Sequence, residues 1–409
     1  MTQVTSSCRI CGGVVTECLD FGRQPVSNAF LRPEHIGDEK YFHLAVGLCG
    51  TCAMVQQLEE VPREDMFGFD YPYRSCMSAW MRKHFQQTAQ ALIETELAGA
   101  DPFIVEIGSN DGIMLDTVNQ AGIRHLGVDP SGGPAAVAQD KGVGILVDYF
   151  EESSARAIRA EHGPADVIFS ANTISHIAYI DSILLGVGAL LADNGVFVVE
   201  DRYLGDVVEH NYFDQIYDEH FYLFAAHSVG ELVSRFGFEL IEAERIPVHG
   251  GAMRYTIARS GRRKVSQAVR DFVARESAMG LDRPAVYEHF RAEIKSIRLA
   301  LVDLLTDLRA QGKSVVGYGA TSKSATVTNY CGIDQDLVPY ICDSTPVKQG
   351  RVTPGSHIPI VPPEQFSKPY PDYALLFAWN HADEIMAKER RFRETGGKWI
   401  LYVPDVHII

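Results

Sequence analysis

No apolar run in this 409-residue chain approaches the ~20 residues that a membrane-spanning helix needs. No long run of lysine and arginine interrupts it either. The chain carries 37 basic against 53 acidic residues, a formal charge of −16 at pH 7. A nucleic-acid backbone, which needs clustered cations, is therefore an unsuitable partner. A small anion in a locally positive pocket stays compatible with that balance. Internal repeats and low-complexity linkers are absent, and MTQVTSSCRICGG lacks the charged-then-apolar order of a signal peptide. With 46% hydrophobic and 22% charged residues the composition is globular, which excludes disorder as a description of the whole chain. A soluble cytoplasmic protein is expected, and, with no dimerisation stripe in view, a monomer.

Cysteine is scarce, eight residues in all, yet four of them stand in two C-x2-C pairs, Cys8 with Cys11 and Cys49 with Cys52. A chain this long does not need disulfide staples, and a reducing compartment disfavours them. Each pair sits on a tight turn beside glycine (Gly12, Gly13, Gly50) and can close half of a tetrahedral zinc site. Four thiolates leave no position for water or substrate, so the zinc is expected to be structural. Cys18, Cys76, Cys331 and Cys342 are expected to be free.

The first seventy residues read as short, turn-rich strands that could barely hold a core without the metal. A helix is predicted from about Trp80 to Leu97. Apolar runs then alternate with amphipathic stretches: PFIVEIG, GIMLDTVNQAG, HLGVDP, GPAAVAQDKG, ILVDYF, DVIFSANTI, IDSILLGVGALLADNG and VFVVED. Strands alternating with helices predict a parallel, doubly wound α/β domain covered on both faces. After about Arg245 the pattern changes, with two strand-like segments and a helical region from Val265 to Ala310 broken near Gly280 and Pro284. A second α/β unit follows, so the expected division is 1–72, 73–244 and 245–409.

Glu106 to Gly112, EIGSNDG, closes one predicted strand and opens a helix, where open α/β sheets bind ligands and glycine lets them approach the backbone. The next strand ends in Asp129, a carboxylate placed to accept from both hydroxyls of a ribose. Asn110 replaces the second glycine of the dinucleotide fingerprint. Glu106, Gly108, Asn110 and Asp129 together resemble the first two motifs of S-adenosylmethionine-dependent methyltransferases. That resemblance puts Asp148 near the adenine amine and Asn172 near the sulfonium. An ordinary strand–turn–helix without a ligand is the plainer alternative.

A second glycine loop, Gly317 to Ser324, also lies between a strand and a helix, with Asp343 ending the following strand. It could suit the ribose of a nicotinamide dinucleotide, or a phosphate at the helix N-terminus with Lys323 adding a cation. Packing alone could equally account for the glycines. The densest polar set is FDQIYDEHFYLF, residues 213–224. There His220 can remove a proton near neutrality, Glu219 or Asp218 can orient it, and Tyr217 can hold an oxyanion. His176, Tyr71 and Tyr73 could face the same cleft.

Cys8-Arg-Ile-Cys11, Cys49-Gly-Thr-Cys52, EIGSNDG, YDEHFYLF and VVGYGATSKSATVTNY together resemble, over nearly the whole chain and in order, the sugar C-methyltransferases of antibiotic deoxysugar pathways. The resemblance implies a small zinc-binding N-terminal domain, a central SAM-binding domain and a Rossmann-like C-terminal domain. It also implies methylation at carbon 3 of a TDP-linked 4-keto-deoxyhexose lying between the second and third domains, with Tyr318 and Lys323 on its side of the second loop. The family's catalytic histidine falls on His220, with Tyr217 and Glu219 beside it, and its other active-site tyrosine and histidine match Tyr71 and His176. Methylation at carbon 5 is the neighbouring alternative. A nicotinamide-dependent oxidoreductase and a non-catalytic zinc-ribbon protein are the rival classes.

Overall fold

A computed structural model of the chain describes residues 5–66 and 78–409. Three sheets organise it. The first is antiparallel, in the order Thr5–Ser7, Val14–Pro25, Tyr41–Cys49, Val55–Gln57 and Tyr222–Leu223. Its fifth strand comes from far along the chain, from within the aromatic segment that carries His220.

The second sheet has seven strands, in the order Phe238–Ile246, Ala252–Arg259, Leu191–Arg202, Ala165–Ala171, Phe103–Ile107, Arg124–Val128 and Ile145–Leu146. The five strands from Leu191–Arg202 onward pair in parallel, and Ala252–Arg259 runs antiparallel to its neighbours. Every residue of Phe103–Ile107 is buried, Glu106 included, as a central strand covered on both faces requires. Phe169, fully buried on the adjacent strand, packs beneath a layer of helices. Phe169→Ala is expected to cost about 3–5 kcal/mol of stability in urea unfolding, with transfer and cavity terms adding.

Ala252–Arg259 belongs to this sheet although it lies beyond the change of pattern at 245. The helix over IDSILLGVGALLADNG also ends earlier than its composition suggests. It stops at Leu190, because Leu191 turns extended and pairs with Ala165.

The third sheet runs Ile360–Val361, Ile341–Cys342, Val315–Tyr318, Tyr373–Leu376, Lys398–Leu401 and His407–Ile408, parallel except for the last strand. It is reached through the helices Gln267–Met279 and Pro284–Ala310. Gly280, at φ +76°, caps the first, and Pro284 opens the second where its missing N–H costs nothing. Among the described residues no helix is long and apolar enough to cross a membrane.

Candidate active site

The four paired cysteines converge at the end of the first sheet. Sγ of Cys8 lies 3.6 Å from that of Cys52, Cys11 lies 3.4 Å from Cys49, and all four sulfurs fall within 4.8 Å of one another. A tetrahedron with Zn–S bonds of ~2.3 Å has edges of about 3.8 Å. The donor set therefore fits zinc. Backbone N–H groups of Ile10, Gly13 and Thr51 each donate to a cysteine sulfur at 3.4 Å, which orients three of the four thiolates. A Cβ on Gly13 would come within 2.5 Å of Thr51 Oγ1, so the two turns approach too closely for any other residue.

At the carboxyl ends of the parallel strands a cleft is lined by Glu106, Gly108, Asn110, Asp129, Asn172 and His176, with Phe85, Ile113, Tyr149 and Phe150 as its apolar walls. Asp129 accepts the N–H of Asn110 through Oδ2 and that of Ser131 through Oδ1, each at 2.8 Å, and so braces the loop it faces. Gly108 has φ +73°, and a Cβ there would strike the Thr173 side chain. Oε2 of Glu106 is buried with no hydrogen-bond partner among the described residues. Burial first, and then Asp111, Asp129 and Glu200, push its pKa well up, a penalty that a cationic ligand would relieve. S-adenosylmethionine brings an ammonium, a sulfonium, a ribose diol and an apolar-faced purine, and this donor set fits it. Asp148 is placed differently from the other candidates. Its side chain is exposed, accepts the N–H of Tyr149 at 2.8 Å, and is not part of the cleft wall.

The polar aromatic segment lies beside that cleft. His220 is 1% exposed and donates Nδ1–H to the backbone carbonyl of Gln215, which fixes the neutral tautomer and leaves the lone pair on Nε2. Nε2 has no hydrogen-bond partner among the described residues. Burial, then the charge of Arg202 and the neighbouring His176, hold its pKa well below the usual histidine value. The Tyr217 and His176 rings lie 4.0 Å and 5.1 Å from the His220 ring, centroid to centroid. His176 is itself lowered to about 3, by burial and then by Arg202. Tyr71, with Tyr73 and Cys76, lies outside the described residues.

The first sheet clamps this segment. Gln57, buried at 1% exposure, donates Nε2 to the carbonyls of Tyr217 (2.7 Å), Asp218 (3.1 Å) and His220 (2.9 Å). Asn28 Nδ2 donates to Glu219 Oε1 at 2.6 Å, and the N–H of Ser27 to Asp218 Oδ1 at 3.0 Å. Burial raises Asp218 to about 6 against the pull of that bond. From the other side Thr326 Oγ1 donates to the carbonyl of Ile216 at 3.0 Å.

In the C-terminal unit, Lys323 is buried with Nζ donating to Asn380 Oδ1 at 2.8 Å and lying 4.6 Å from the Trp379 ring centroid. Burial lowers it to about 7 against the pull of Asp214. Tyr318 is turned into the domain core, its phenol on Glu389 Oε1 at 2.7 Å and its ring edge-on to Phe366 and Trp399. Asp343 accepts the N–H of Ala320 and of Thr345, each at 2.7 Å. It closes its glycine loop as Asp129 does. Arg202, Gln215, His249 and Gln57 were not singled out in the sequence. Only Arg202 and Gln215 had a signal there, the one directly following a predicted strand and the other inside the aromatic segment.

Residues 8–67 match a family model described as "Putative zinc binding domain", residues 81–243 a methyltransferase domain, and residues 247–404 a C-methyltransferase C-terminal domain. A solved SAM-dependent methyltransferase of Anabaena variabilis aligns with 42% of this chain and 84% of its own at 18% identity and a TM-score of 0.35. A ubiquinone biosynthesis O-methyltransferase of Azorhizobium caulinodans is 28% identical over 119 residues, 29% of this chain and 45% of that one. C-methyltransferase NovU of Streptomyces niveus is 33% identical over 405 residues, 98% of this chain and 96% of NovU. With that likeness running end to end and the three family models following one another in order, the chain belongs to the S-adenosylmethionine-dependent C-methyltransferases.

Proposed function

We propose that the enzyme methylates carbon 3 of a TDP-linked 4-keto-deoxyhexose, as in antibiotic deoxysugar biosynthesis. Carbon bound to hydrogen is no nucleophile until a base removes the proton, and a ketone at carbon 4 makes the carbon 3 proton acidic. The observation that carries the reading is His220. It is a neutral imidazole whose Nδ1–H is already tied, so its bare Nε2 is the basic atom, beside the SAM cleft. Nε2 takes the proton, and the C–H pair becomes the carbon 3–carbon 4 π bond while the carbonyl pair moves to oxygen. Tyr217 donates to that oxygen. Glu219, held by Asn28, keeps the segment in place, with His176 and Tyr71 completing the wall. Lys323 faces the diphosphate, an anion that would restore the charge its burial disfavours. Bound by Glu106, Asp129 and the Gly108 turn, with Asn172 nearby, S-adenosylmethionine supplies an electrophilic methyl carbon on sulfur. Zinc, held by the four cysteines, supplies a closed structural link.

The test uses a panel of TDP-linked 4-keto-deoxyhexoses, with and without a 3-amino group, and SAM labelled with carbon-13 in the methyl. The expected product carries the label bonded to carbon 3. Label on carbon 5, on oxygen, or on none of the panel would sink the reading. The cofactor site has its own test. Asp129→Asn is expected to weaken SAM binding about 10–100-fold in calorimetry, the range of charge-assisted hydrogen bonds worth ~1.5–3 kcal/mol. An unchanged affinity would remove Asp129 from the site.

A further inference from the structure

Arg202 ends the strand Leu191–Arg202 and is 8% exposed. Buried guanidinium groups are ordinarily neutralised by carboxylates, most often in a bidentate fork. Here neutral amide oxygens do the holding. Nε donates to Gln215 Oε1 at 2.8 Å and Nη1 to Asn172 Oδ1 at 3.1 Å. The Asp201 carboxylate stands 3.9 Å from Nη1 and is engaged by the Ser175 N–H and hydroxyl and by the backbone N–H of Arg202. Nη2 makes no hydrogen bond among the described residues. The charge nevertheless acts on His176, His220, His249 and Lys323, lowering the basicity of each.

Gln215 ties this cation to the base. Its backbone carbonyl holds His220 Nδ1, its Oε1 holds Arg202, and its Nε2 donates to the carbonyl of His249 at 3.0 Å. His249 sits at φ +54°, a strained backbone that fixes the turn. One buried side chain thus sets the distance between the imidazole and the guanidinium. A fixed cation with donors to spare, beside a base that creates a carbanion, is an oxyanion site built before substrate arrives.

We propose that Arg202 is a catalytic residue whose unengaged guanidinium N–H groups hold the carbon 4 oxygen as it becomes anionic. The inference rests on the enolate reading of His220 given above. No proton leaves Arg202 in the step. The substrate proton goes to His220 Nε2, the C–H pair forms the new π bond, and the displaced carbonyl pair stays on oxygen against the guanidinium. The substrate's diphosphate is the other anion that such a cation could meet, and the two sources separate kinetically. An enolate contact acts on kcat, a diphosphate contact on the KM of the sugar.

The experiment compares wild type, Arg202→Gln, Arg202→Lys and His220→Asn on a TDP-linked 4-keto-deoxyhexose that wild type methylates. Turnover and carbon 3 deuterium exchange, the latter with S-adenosylhomocysteine present, are read across pH. Arg202→Gln is expected to lose about 10²–10³ in kcat, the worth of one oxyanion donor, and to lose exchange in step, with the sugar KM changing only a few-fold. The pH profile gives a readout that a purely structural role would not move. Arg202, His176 and Lys323 are the charged or titratable groups that act on His220, with the Gln215 carbonyl opposing them; Tyr217 packs on its ring. Only Arg202 is removed, so the His220 pKa rises and the acid limb moves to higher pH. Arg202→Lys keeps the charge without the fork. It is expected to recover part of kcat and to keep the limb near wild type, which also serves should Arg202→Gln fold poorly. Exchange at wild-type rate in Arg202→Gln, an effect confined to KM, or a lysine variant no better than glutamine in rate and limb would each overturn the proposal. Exchange surviving in His220→Asn would instead overturn the base assignment.

Discussion

His220→Asn is expected to keep its fold and its affinity for SAM while losing turnover by about 10²–10⁴, the usual worth of a positioned acid–base group. Asparagine can still donate from its amide to the Gln215 carbonyl, the bond that His220 Nδ1 makes. What it cannot supply is a basic nitrogen in place of Nε2. The loss should therefore appear first in proton removal. Wild type with the 4-keto sugar and S-adenosylhomocysteine is expected to exchange the carbon 3 proton with deuterium; the asparagine variant should not. The sign of the pH dependence follows from the same surroundings. The proposed proton removal needs the neutral imidazole, and burial with Arg202 and His176 depresses its pKa. Wild-type kcat/KM should therefore hold its plateau as pH falls past the ordinary histidine value, and decline only below it. An acid limb centred at or above about 6.5, the unperturbed value, would contradict the burial seen here. Near wild-type methylation by His220→Asn, with a dead His176 variant, would move the base to another wall of the cleft.

The parts of this site that were legible in the sequence share one property: the chemistry of each is carried by a short local pattern. Two C-x2-C turns must place their sulfurs together, and EIGSNDG must stand at a strand end. Contacts that depend on distant segments left no such trace. Gln57, in MVQQLEE, has the look of a half-exposed polar residue, yet it is buried because three carbonyls from residues 217–220 need its amide. Tyr222 and Leu223 form a strand only because Val55 and Gln56 lie opposite them, and two residues carry no period of their own. Tyr318 illustrates the reverse. A residue between two glycines in a strand-to-helix loop invites a binding role, but its ring fills an aromatic core with Phe366 and Trp399. The chain pattern breaks at 245 because that strand lies at the sheet edge and is partly exposed, while the sheet itself continues through Arg259.

Removing the zinc is expected to abolish methylation while leaving SAM bound. Structural zinc contributes ~10–16 kcal/mol in small sites, as much as the whole stability of ~5–15 kcal/mol of a typical domain. The first sheet should not survive its loss. Two residues after Cys52 begins Met54–Val55, and the strand Val55–Gln57 pairs directly with Tyr222–Leu223. When that strand goes, the Gln57 amide releases three carbonyls of the segment bearing His220, and Asn28 releases Glu219. The cleft lined by Glu106 and Asp129 stands on the second sheet and keeps its own braces. Turnover and cofactor affinity should therefore part company. Metal analysis of protein purified without chelator should find about one zinc per four-cysteine site. After chelation, or in Cys49→Ser, turnover should fall more than about 10²-fold, the lower bound for a displaced acid–base group, with the SAM dissociation constant changing only a few-fold. Gln57→Ala isolates the mechanical step, since it leaves the cysteines intact. It should lower kcat at full zinc content and unchanged SAM affinity, by less than His220→Asn does. A zinc-free enzyme that methylates at the wild-type rate would show that the first sheet holds without its metal. A Gln57→Ala variant with full kcat would show that the strand pairing alone suffices to aim the base.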